Sequence, residues 1–182
     1  MNLRNYWDQL VGLISIRAVP SPLTPASDEK SFCLDVPGFR QVSSYSCGYI
    51  VGLMVARFFD SSVPEDEFYT AIDPTAEYGV PDEQLIEVLW RFGVKVRFRA
   101  GLSFEDLEKN IRASRPMITS VRRRTHGHWV VIYGIGREPD RVYVSGNEVP
   151  GLGRLFRSHE MPREEFEKIW DEERFCLICS KK

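Results

Sequence analysis

Cys47-Gly48 stands directly before an almost wholly apolar stretch, Tyr49 to Phe59. Ile50, Val51, Leu53, Met54, Val55, Phe58 and Phe59 leave it little polar face, which predicts a helix inside a core. A cysteine at the N-terminus of such a helix faces unpaired backbone N–H groups and the positive end of the helix dipole. Both favour thiolate over thiol, and the thiolate is the nucleophile. A small buried thiol is the alternative at that place, and Gly48 leaves room for a substrate backbone to approach. His128 opens a second apolar run, HWVVIYGIG, with strand character. An imidazole at a strand start can take the thiol proton and return it to a leaving amine. His126, two residues earlier, is the alternative base. A base needs an orienting group. The following strand, RVYVSGN, returns through Pro139-Asp140 and carries Asn147 toward the His128 end. Asn147 is therefore the expected acceptor for the imidazole N–H, ahead of Asp140 at the far end of the hairpin. Gln41 supplies a side-chain N–H that, with the Cys47 N–H, is suited to an oxyanion.

The elements that must position these groups follow from periodicity and punctuation. Leu3, Tyr6, Trp7, Leu10, Val11 and Ile14 are spaced as one amphipathic helix, followed by a Pro- and Ser-rich arm. Residues 1–31 are thus a helix and arm, able to fold back, act as a prosegment or dock a partner, and residues 32–182 are the body. Cys33 to Val36 reads as a short strand stopped by Pro37-Gly38. Pro81 in a first turn and Gly93 after Phe92 bound a second body helix over 81–92. Ser103 with Asp106 opens a third, ending before Pro116. Met117–Val121, Trp129–Ile135, Arg141–Ser145 and Phe175–Ser180 read as strands, and Pro162 opens a last helix up to about Asp171. Arg122-Arg123-Arg124 is expected in a solvated connection. Helices first and a largely antiparallel sheet second is the α+β pattern.

The stretches LDVPGFRQVSSYSCG, GHWVVIYGIG and MPREEFEKIW resemble papain-like cysteine peptidases. They look most like the bacterial branch related to the double-glycine leader peptidases that process bacteriocins. The resemblance runs from about Phe32 to Ser180. It implies a papain-like fold, Cys47 as nucleophile, His128 as base and Gln41 as oxyanion donor. Gly48 and Trp129 are the expected substrate contacts. In that family the strand after the histidine usually ends in Asp-Pro. Here the aspartate position holds Gly146 and Asn147 follows, and papain-like enzymes commonly use Asn in that role.

Composition bounds the remainder. The chain has 182 residues, 43 % hydrophobic and 27 % charged, with a formal charge of −2. That is an ordinary globular profile, with no basic field for nucleic acid and no apolar run of the ~20 residues that a membrane span needs. Cys33, Cys47, Cys176 and Cys179 are too few for a disulfide scaffold, which points to reduced thiols in a cytoplasmic setting. Cys176-Leu-Ile-Cys179 has CxxC spacing but no second pair, so core or edge cysteines are expected there rather than zinc ligands. No metal or cofactor is called for. The expected reaction is thiol-dependent hydrolysis of a peptide or amide bond in a peptide or protein substrate. Acyl transfer or deamidation at the same site, or a degenerate module that only binds peptide, stay open.

Overall fold

The computed structural model describes residues 30–39, 45–123, 126–145 and 158–182. The predicted N-terminal helix and its arm through residue 29 lie outside this set, as do Gln41, Gly146 and Asn147. Five described helices and a seven-stranded sheet make the α+β architecture.

The first helix, α1 (Cys47–Phe59), begins at the cysteine itself, two residues earlier than its apolar run. Every residue from Gly48 to Ala56 is buried, so the helix is a core element. It packs on the long strand β4 (His126–Gly136) and on two further helices, α2 (Glu65–Ile72) and α3 (Asp82–Arg91). Gly52 permits this close association. A Cβ there would lie 2.9 Å from Leu85 of α3 and 3.0 Å from Phe68 of α2.

Pro81 is the N-cap of α3, in extended backbone, rather than a first-turn residue. Ser103 caps α4 (Phe104–Arg112) through the reciprocal hydrogen bonds of a capping box with Asp106. The last helix, α5 (Arg163–Ile169), follows Pro162 and stops earlier than its sequence pattern suggested.

The sheet runs β2 (Val94–Arg99), β7 (Cys176–Lys181), β3 (Met117–Arg123), β4, β5 (Arg141–Ser145), β6 (Ser158–Pro162), all antiparallel. The short β1 (Ser31–Cys33) pairs with Gly134 to Gly136 of β4. Its ladder continues for one bond, from the Leu34 N–H to the Tyr133 carbonyl at 2.8 Å. Arg122 and Arg123 belong to β3 rather than to a loop, because the β3–β4 pairing continues to Arg123 opposite His126. Arg122 is ion-paired with Glu172.

Three elements stand outside the sequence expectation: α2, β2 and β6. The helix α2 buries only Phe68 and Ile72, one turn apart, and ends on a left-handed Asp73 instead of a glycine. β6 contains Pro162 and no β-branched residue, and it exists by pairing with β5. Among the described residues no helix is long and apolar enough to cross a membrane.

Candidate active site

Cys47 is the first residue of α1 and is half-buried. The first turn holds no acidic residue to offset the positive end of the helix. The carbonyl of Ser46 accepts the first intrahelical bond, from the Ile50 N–H at 3.0 Å. Helix and sheet meet next to this thiol through one valine. The side chain of Val80 occupies the open side of Gly48, where a Cβ would come within 2.5 Å of the Val80 Cβ. The Val80 carbonyl accepts a hydrogen bond from the Trp129 indole N–H at 3.1 Å. The residue after Cys47 and the residue after His128 therefore touch the same residue. Val80 thus links the head of α1 to the Trp129 side chain of β4.

His128 is buried, 3 % exposed, and sits in β4 opposite Val121. Val121 in turn bridges to Trp170 at the end of α5. Beyond His128, the Trp129 ring meets Phe175 edge-on at 5.9 Å, and Phe175 stacks on Phe98 at 5.4 Å. Both residues expected to contact substrate thus have partners within the protein. The room that glycine leaves at 48 is taken by Val80, so the reason for a glycine there is helix-to-turn packing. The indole N–H of Trp129 is committed to the Val80 carbonyl.

The other expected residues are placed as follows. His126 heads β4 opposite Arg123, two residues before His128. Asp140 is at the opposite end of β4, ion-paired with Arg137 at 3.1 Å and Arg163 at 3.2 Å. β5 runs back along β4 as far as Ser145 opposite Val131, three residues from His128. Its described end is therefore directed toward the histidine.

Burial separates the remaining thiols from Cys47. Cys33 is pushed up to about 12 by desolvation. Cys176 and Cys179 are wholly buried in β7, and burial raises both further still. A thiol held in its protonated form is inert toward electrophiles, so the CxxC residues are core residues. Among the described residues, no three His, Cys, Asp or Glu side chains come together in a group able to hold a metal ion. Sequence reasoning missed Val80 and its turn. Its one local signal is Gly79, which has φ +65°.

An α+β molecule with a cysteine at the head of a buried helix, beside a histidine strand, has the layout of a papain-like cysteine peptidase. The sequence profile of the Peptidase C39 family matches residues 35–182, and the chain belongs to that family. It is a cysteine peptidase of that family.

Solved structures carry the same fold. A double glycine motif protease from an AMS/PCAT transporter, in complex with the leader peptide, matches with a TM-score of 0.63 and 19 % identity, covering 83 % of this chain and 95 % of that one. A C39-like peptidase from Bacillus anthracis matches at 0.59 and 19 %, covering 85 % and 100 %. The peptidase domain of Streptococcus ComA, a bi-functional ABC transporter, matches at 0.58 and 14 %, covering 79 % and 96 %. No curated protein matches.

Proposed function

We propose that this cysteine peptidase hydrolyses a peptide bond of a peptide or protein substrate, with Cys47 as nucleophile and His128 as general base. The observation that supports this reading is that Gly48, next to Cys47, and Trp129, next to His128, both contact Val80. His128 takes the Cys47 proton, and the thiolate attacks the scissile carbonyl. The Cys47 N–H and the Gln41 side chain hold the oxyanion, and the imidazolium returns the proton to the departing amine. Water then adds to the thioester, releasing the acid and restoring the thiol. Asn147 is assigned the imidazole-orienting role because RVYVSGN leads back toward the His128 end of β4. The peptide held by the transporter protease supports a peptide as the substrate class here. A cytosolic setting fits four cysteines of which none is in a disulfide.

The test is cleavage of a peptide library, read by mass spectrometry. Wild type should release fragments at defined bonds, and Cys47→Ala and His128→Ala should each abolish release. Cleavage that survives in Cys47→Ala would refute the assignment. Transfer of the acyl group to an added amine in preference to water would move the reaction to the transferase class.

A further inference from the structure

The segment between α2 and α3 is a turn folded tightly on itself. Thr75 and Gly79 exchange both backbone hydrogen bonds, at 3.0 and 2.8 Å, and the Thr75 hydroxyl accepts from the Tyr78 N–H at 3.2 Å. Two contacts press this turn onto the residues around Cys47. At Gly79 a Cβ would lie 3.6 Å from the Tyr45 carbonyl, and Val80 fills the open side of Gly48. At its tip Tyr78 is 74 % exposed, the most exposed large hydrophobic side chain among the described residues. Folding gains little from a ring held out in this way, whereas a ligand lying across the turn would bury it. Glu77 is exposed beside the ring at the same tip, and its carboxylate raises the Tyr78 phenol above its ordinary range. The face of the exposed ring is open to meet a ligand.

The sign of the surrounding charge selects among ligands. Between Arg57 and Arg91 the sequence has nine Asp and Glu residues and no Lys or Arg. This is the segment that builds α2, the turn and α3. We propose that Glu77 and Tyr78 form a specificity subsite that takes a lysine or arginine side chain of the peptide substrate near the scissile bond. This rests on the reading of Cys47 as nucleophile. The aliphatic stem of the substrate side chain lies along the Tyr78 ring, its cation faces the π surface, and Glu77 supplies the opposite charge. An apolar side chain uses the ring alone. An acidic one meets like charge and is rejected.

The experiment measures kcat/KM of the full chain on matched peptides. Each position flanking the cleaved bond carries in turn arginine, lysine, norleucine or glutamate. One position should prefer arginine and lysine over norleucine by about fivefold or more, with glutamate poorest. Glu77→Gln should narrow the gap between arginine and norleucine, and Tyr78→Ala should lower both. The rate of iodoacetamide labelling at Cys47 should stay unchanged in the two variants. If labelling drops in Tyr78→Ala, the turn has lost its packing on Gly48. Tyr78→Phe then decides, since it keeps the ring and should keep the preference. Equal rates for all four residues, or a preference that survives both Glu77→Gln and Tyr78→Ala, would overturn the subsite while leaving the nucleophile in place. A Cys47 without activated labelling would instead remove the reading on which the subsite depends.

Discussion

Four thiols in one chain differ through their surroundings alone. Cys176 and Cys179 are wholly buried in β7, and Cys33 is desolvated against β4, where a Cβ on Gly134 would collide with its sulfur. Cys47 instead begins a thirteen-residue helix at partial exposure, with no acid in the first turn. The residue-scale account therefore assigns one reactive sulfur. In the proposed mechanism the negative charge that develops on the carbonyl needs donors, and Gln41 is assigned as one of them. Gln41→Ala should lower kcat by about 10²–10³ while the labelling rate of Cys47 stays at the wild-type value, because oxyanion support acts after the thiolate has formed. Single-turnover cleavage kinetics beside alkylation kinetics measure this. A parallel fall in both would place Gln41 in support of the thiolate instead.

At the scale of elements, the association of α1 with the Thr75–Val80 turn and β4 depends on a missing side chain. A methyl group at Gly48 would meet the Cβ of Val80 at 2.5 Å, and Val80 is held from behind by the Trp129 indole. Neither atom is the loose end of a flexible chain. Gly48→Ala should therefore cost about 1–3 kcal/mol of stability, read by urea denaturation, and should lower activity in the fraction that remains folded. An unchanged midpoint would show that the turn yields freely.

The same elements show what was legible in the sequence. The buried helix after Cys47, the Ser103–Asp106 cap and the β4–β5 hairpin all carry local signals, in continuous apolarity, a capping pair or strand-like runs. β2 carries one too, since Val94, Val96 and Phe98 alternate with Lys95, Arg97 and Arg99. α2 and β6 do not. An eight-residue helix with two anchoring side chains has too short a period to read, and a strand such as Ser158–Pro162 is made by its partner. Val80 was invisible for a related reason. Its role comes from two residues, Gly48 and Trp129, that are far from it in sequence and adjacent only once the chain has folded.

For the molecule as a whole, an ionic network closes the end of the sheet opposite His128. Arg137 pairs with Glu108 of α4 and with Asp140 at the start of β5, and Arg163 of α5 joins Asp140, Glu105 and Glu167. Both guanidinium groups also lie over the Phe104 ring, at 4.9 and 4.8 Å. Hydrogen bonding to Arg137 holds Glu108 below its ordinary value of 4.5. A carboxyl with a depressed folded-state pKa adds stability above its unfolded pKa and loses it as pH falls through the folded value. Wild type should therefore be more stable than Glu108→Gln at pH 7, with the difference shrinking as pH drops below about 4.5. Urea midpoints across pH 3 to 7 measure it, and a constant difference would exclude Glu108 as the titrating group.

The central claim, a thiolate at Cys47 sustained by the helix terminus and His128, is tested most directly by the pH dependence of iodoacetamide labelling in the native protein, resolved by cysteine. The account predicts that Cys47 is modified well below its unperturbed pKa of about 8.5, by pH 6. In His128→Ala its profile should move toward that value, with Cys33, Cys176 and Cys179 silent throughout. A Cys47 profile that rises only near pH 8.5 in wild type, and is unmoved by His128→Ala, would contradict it.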